Sequence, residues 1–169
     1  IPLPLSHVIS LRSHSFQTFN NCGPAGLSML LSYFDVNVSQ QELGKALRPF
    51  QNRAGINDDK SVTLAELAEY SKKYGMNSYL RPGGSIELLK SLIAADLPVL
   101  VRTWTKPDED IGHYRLVRGY DDTTREIVQD DSLQGKDLRY GYDDFLLMWE
   151  PFNFEYLVMS YSSESIMPV

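Results

Sequence analysis

Hydrophobic and polar positions divide the chain into a helical first half and a strand-rich second half. Between Pro24 and Phe34, the residues Leu27, Leu30, Leu31 and Phe34 recur at i, i+3, i+4 and i+7, which makes one apolar helical face. Ser39 with Glu42, and Thr63 with Glu66, have the spacing at which a hydroxyl and a carboxylate reciprocally satisfy the free amides of a helix start. A short helix is predicted after each, the second ending near Gly75. Ile86, Leu89 and Ile93 set the inward face of a fourth helix over Ile86 to Ala95, which Pro98 prevents from continuing. From Pro98 the pattern changes. Val99 to Trp104, His113 to Tyr120, Glu126 to Asp131 and Phe154 to Tyr161 are rich in β-branched and aromatic residues and bounded by turn formers, which predicts sheet strands. Asp121 to Thr124 is short and polar, so the strands flanking it are predicted to form an antiparallel hairpin. Asp143 to Trp149 reads as one more short helix. Helices first and antiparallel strands later is the α+β pattern.

The 169 residues fit one domain, and with no repeat or low-complexity tract we place no boundary within 1–169. Gln51 to Lys60, the densest polar stretch, reads as a loop. With 43% hydrophobic and 22% charged residues the chain can bury a sizeable core, which excludes disorder as its main state. A net charge of −6 repels a phosphate backbone, so nucleic acid is not an expected partner. The apolar stretches fall well short of the roughly 20 residues of a membrane-spanning helix. The chain opens at Ile1 without Met, and Ile1 to Leu5 has neither a basic nor a long apolar leader region, which reads as a trimmed chain, exported or at the cell surface. Oligomeric state is left open.

One cysteine, Cys22, excludes an intramolecular disulfide and a thiolate metal cluster. It stands in Gln17-Thr18-Phe19-Asn20-Asn21-Cys22-Gly23-Pro24-Ala25, immediately before the strongest helix, and Pro24 suits a first helical turn. Unpaired amides and the helix dipole stabilise an anion there, so the position suits a nucleophilic thiolate better than a core thiol. Gly23 allows close approach to the backbone beside the sulfur. The Cys22 N–H could meet an oxyanion formed by thiolate attack, and Gln17, five residues upstream, could supply a second donor.

A thiolate nucleophile needs a base and a group that orients it. Of the three histidines, His7 and His14 lie in the irregular N-terminal segment, where a solvated imidazole is the expectation. His113 starts a strong strand after Asp110-Ile111-Gly112, where Gly112 permits a close approach. The next strand ends in Asp130-Asp131. A hairpin centred on Asp122 sets Asp131 opposite His113, and a shift of half a residue puts Asp130 on the His113 face instead. Spacing leaves both open. Trp104, Tyr114, Tyr140, Tyr142 and Trp149 are read as core or sheet packing ahead of a groove lining. Asp108, Glu109 and Asp110 are read as a solvated acidic loop ahead of a basic-substrate site.

Gln17 to Leu31, His113-Tyr114-Arg115-Leu116-Val117-Arg118-Gly119-Tyr120-Asp121, and Asp131-Ser132 with Gly135 resemble the bacteriocin-processing-like cysteine peptidases of papain-like fold. The resemblance implies a papain-like domain and a peptide or protein substrate. Carried over by motif position, the nucleophile falls on Cys22, the base on His113, the orienting aspartate on Asp131 and the oxyanion-hole glutamine on Gln17. Asp131 takes the role over Asp130 because Ser132 follows it, as Pro or Ser follows the family's aspartate. That chemistry calls for no metal and no organic cofactor. Acyl transfer through the same thioester, or peptide binding with little turnover, are the competing expectations.

Overall fold

The computed structural model describes residues 2–10, 13–18, 21–48 and 62–161. The predicted Gln51 to Lys60 loop, together with Phe19 and Asn20 of the cysteine motif, lies outside them. Among the described residues five α-helices run Cys22–Tyr33 (α1), Gln40–Leu47 (α2), Leu64–Ser71 (α3), Ile86–Ala94 (α4) and Tyr142–Trp149 (α5). Seven strands of the described residues run Ser6–Val8 (β1), Met76–Arg81 (β2), Val99–Trp104 (β3), Gly112–Asp121 (β4), Glu126–Asp131 (β5), Gly135–Gly141 (β6) and Tyr156–Tyr161 (β7). They form one antiparallel sheet in the order β2-β7-β3-β4-β5-β6, with the short β1 also paired to β4.

The sheet is covered on both faces. Leu100, Tyr114, Leu116, Leu157 and Met159 pack with α1 to α3. Val99, Val101, Val117 and Val158, the alternate residues of the same strands, pack with α4 and α5. Successive side chains on a strand point to opposite faces, so a strand covered twice reads as the continuous apolar run Val99-Leu100-Val101. Tyr114, Tyr142 and Trp149 are core residues of these two layers.

The helix starts follow their caps. Thr63 and Glu66 form the complete reciprocal box at α3. At α2, Ser39 Oγ accepts from Glu42 N at 3.1 Å, and the return bond is not formed. Past α3 a 3₁₀ turn over Lys72–Tyr74 ends at Gly75, whose φ of 78° is the left-handed conformation that glycine adopts readily.

Several strands depart from the sequence reading. β1, β2 and β6 were not anticipated, and β7 starts at Tyr156, because Asn153 and Phe154 both take positive φ and turn the chain before it. The β4–β5 hairpin contains a bulge between Val117 and Gly119, which leaves Arg118 as the extra residue. Asp131 consequently pairs with Arg115, in neither of the two registers that spacing allowed.

Candidate active site

Cys22 is the first residue of α1 and is half-buried. The helix reaches the sheet because its first turns are small. A Cβ on Gly23 would stand 3.3 Å from the Tyr114 ring, and one on Gly26 would stand 3.0 Å from Leu100 Cδ1. The close approach expected at Gly23 is thus made by the Tyr114 ring of β4, whose hydroxyl donates to the Val62 carbonyl. In front of the cysteine, the Asn21 side chain turns into α2, where its Nδ2 donates to the Gln40 carbonyl at 3.1 Å and its Oδ1 accepts from Arg48 Nη1 at 3.1 Å.

His113 is the second residue of β4. The residue before it, Gly112, leaves room for the Arg102 guanidinium of β3, which a Cβ would meet at 3.1 Å. On the sheet face His113 and Arg115 are neighbours, and Asp131, opposite Arg115, reaches His113 along the diagonal. His113 Nε2 donates to Asp131 Oδ1 at 2.5 Å, with the two side chains 2% and 0% exposed. The same oxygen accepts from the backbone N–H of Leu133 at 2.7 Å and of Gln134 at 3.2 Å, so one carboxylate both closes the β5–β6 turn and holds the imidazole. Asp130 points the other way and takes Arg118 Nε at 2.8 Å.

Two opposing effects set the charge on His113. Burial pushes its pKa down, but hydrogen bonds and charge from Asp131 and from Cys22 outweigh burial and hold it above the ordinary histidine range. Burial pushes Asp131 up, yet the His113 hydrogen bond and charge, the Leu133 N–H and the Arg115 charge bring it below the usual carboxylate range. Asp131 and Cys22 therefore act on one imidazole. Asp130, on the opposite face, is pushed up by burial against the pull of Arg118.

Gln17 is tied to the end of β5. Its N–H donates to the Ser132 carbonyl at 2.9 Å and its Oε1 accepts from Ser132 Oγ at 2.8 Å. Among the described residues its amide nitrogen makes no hydrogen bond to Cys22 or His113. Gln40 anchors the same segment from α2, accepting from Thr18 N at 2.9 Å and donating to Ser15 Oγ at 2.7 Å.

The two other histidines are not free imidazoles. His7 contacts Asp96 Oδ1 at 2.7 Å, and His14, half-buried, donates from Nε2 to the Asp131 carbonyl at 2.9 Å. Sequence reasoning also passed over Arg115, which is fully buried beside Asp131. The signal available was a charged residue in the middle of a strand apolar enough to be buried on both faces, where a charge requires a partner. Among the described residues no group of three or more His, Cys, Asp or Glu could hold a metal ion.

Residues 8–157 match the model of the Peptidase_C39 like family. The chain belongs to that family. Its fold is the papain-like one of the C39 peptidases. A Bacillus anthracis protein described as a C39-like peptidase superposes with a TM-score of 0.69 at 19% identity, over 92% of this chain and 97% of that one. The peptidase domain of Streptococcus ComA, a bi-functional ABC transporter of a quorum-sensing pathway, gives 0.64 at 19% identity, over 92% and 98%. A double glycine motif protease from an AMS/PCAT transporter, solved with the leader peptide, gives 0.64 at 12% identity, over 92% and 94%. No curated protein sequence matches the chain. No helix of the described residues is long and apolar enough to cross a membrane.

Proposed function

We propose that this C39-like chain is an active cysteine peptidase that cleaves peptide bonds through a thioester on Cys22. The observation that carries the reading is the buried 2.5 Å bond between His113 and Asp131, formed by an imidazole on which Cys22 at the start of α1 also acts. An ionised carboxylate only accepts hydrogen bonds, so Asp131 fixes the proton on His113 Nε2 and leaves Nδ1 to serve the thiol.

In this mechanism the Cys22 thiolate attacks the scissile carbonyl carbon while His113 holds the thiol's proton. The tetrahedral oxyanion is met by the Cys22 backbone N–H, which opens the helix and so has no intrahelical partner, and by the Gln17 amide. Collapse breaks the C–N bond, and the departing amine takes the proton from His113. Water then adds to the thioester, giving a proton back to His113, and the free acid leaves as the thiol is restored. None of these steps requires a metal or organic cofactor. The substrate class is a peptide, which is what the double glycine motif protease of the same fold was solved with.

The test is a peptide library incubated with the wild type and with Cys22→Ala, the fragments being read by mass spectrometry. Cleavage by the wild type that is lost in Cys22→Ala supports the proposal. Equal cleavage by the variant, or none by the wild type, contradicts it.

A further inference from the structure

Arg115 is the least expected residue near the site, being a cation with no exposed surface in the middle of β4. Its Nε donates to Thr103 Oγ1 at 2.8 Å, its Nη1 to Gln129 Oε1 at 3.1 Å, and its Nη2 to the Thr105 carbonyl. The Tyr140 ring of β6 lies over the guanidinium at 4.9 Å. With the fork held from three strands, Nη1 stands 3.1 Å from Asp131 Oδ2. That contact is one of charge, because Oδ2 accepts no aligned hydrogen bond. All three hydrogen bonds to the carboxylate, including the one from His113, fall on Oδ1. A bare carboxylate in this place would be drawn by the imidazolium alone. Here two cations divide it, one at each oxygen.

We propose that Arg115 is a positioning residue that holds Asp131 from its far oxygen and, by sharing its negative charge, limits how tightly His113 retains its proton. The inference rests on the reading of His113 and Asp131 as parts of the active site. A second cation at Oδ2 lowers the negative potential at the imidazole, so the proton leaves His113 at a lower pH than Asp131 alone would dictate. The other groups around the pair are fixed in kind. Cys22 comes from α1, the Arg102 guanidinium from β3 at Gly112, the His14 imidazole from the N-terminal segment on the Asp131 carbonyl, and the Tyr140 phenol from β6. None of them reaches Oδ2.

The experiment follows the His113 imidazole by NMR titration in the full chain, its signal identified among three histidines by its absence in His113→Asn. In Arg115→Met, which keeps length and loses charge, deprotonation of His113 is expected to move to higher pH by about one unit. In Arg115→Lys, which keeps a charge but not the fork, the midpoint stays where it is in the wild type while peptide turnover falls. An unmoved or lowered midpoint in a folded Arg115→Met protein overturns the proposal. Should that variant not fold, Arg115→Lys decides, and a raised midpoint or undiminished turnover there overturns it equally. Because the titration needs no catalysis, a wild type without peptidase activity would end the catalytic reading and leave the charge-sharing result to stand or fall by itself.

Discussion

At His113, burial and hydrogen bonding pull in opposite directions, and the partners win. The sign of the resulting pH dependence follows by linkage. A raised histidine contributes stability that is complete below its unfolded value of about 6.5 and is lost as pH rises through the folded value. A depressed aspartate contributes stability that is complete above about 3.9 and is lost as pH falls through its folded value. The pair therefore stabilises most between about pH 4 and 6.5. Asp131→Asn leaves both His113 and Arg115 without their carboxylate and is expected to cost about 3–5 kcal/mol in that window. Chemical denaturation of the wild type and Asp131→Asn across pH measures it, and a stability difference that does not shrink on the alkaline side contradicts the assignment. The placement of Cys22 at a helix start and of His113 at a strand start was legible, because Gly23-Pro24 suits a first helical turn and Gly112 opens the strand just ahead of the histidine. The choice between Asp130 and Asp131 was not, because it turns on the bulge at Arg118, and a single extra residue in a hairpin leaves no mark in hydrophobic patterning.

Among the elements, α1 is the one whose placement matters most for chemistry. It carries Cys22 to β4 because Gly23 and Gly26 let its backbone lie close to Tyr114 and Leu100. Gly26→Val should push the helix off β3, costing about 1–3 kcal/mol of stability by overpacking and lowering turnover beyond what that loss explains. Thermal denaturation with peptide cleavage at a temperature where both proteins are folded separates the two effects, and unchanged turnover would show that the approach is not needed. β3 and β5 were predicted to the residue, β3 because a strand covered on both faces spells out the apolar run Val99-Leu100-Val101, and β5 because Ile127-Val128 lies between the Asp121 to Thr124 turn and the polar Asp130-Asp131-Ser132. The two long strands that were missed, β2 and β6, are the edges of the sheet. Met76-Asn77-Ser78-Tyr79-Leu80-Arg81 and Gly135-Lys136-Asp137-Leu138-Arg139-Tyr140 carry the polar and charged residues that protect an edge from pairing further, and such strands resemble loops when read alone.

At the scale of the whole molecule, the four residues of the proposed site come from four places in the chain. Gln17 is pinned to Ser132 beside the aspartate, Asn21 and Gln40 lock the loop ahead of the cysteine to α2, and β4 sets His113 against Asp131, with Cys22 acting on the same imidazole. Local patterning could predict each piece but not their convergence, which depends on β4 lying at the centre of the sheet between β3 and β5. The same convergence makes the central claim directly measurable, because the chain has one cysteine and any thiol label reports on it. The measurement is the rate of Cys22 alkylation by iodoacetamide near pH 6, followed by intact mass, in the native wild type, native His113→Ala and the urea-unfolded chain. The native wild type is expected to react on the order of tenfold faster than either comparison, since only there does the His113 imidazole act on the sulfur at the start of α1. A native wild type that reacts no faster than the unfolded chain would contradict it.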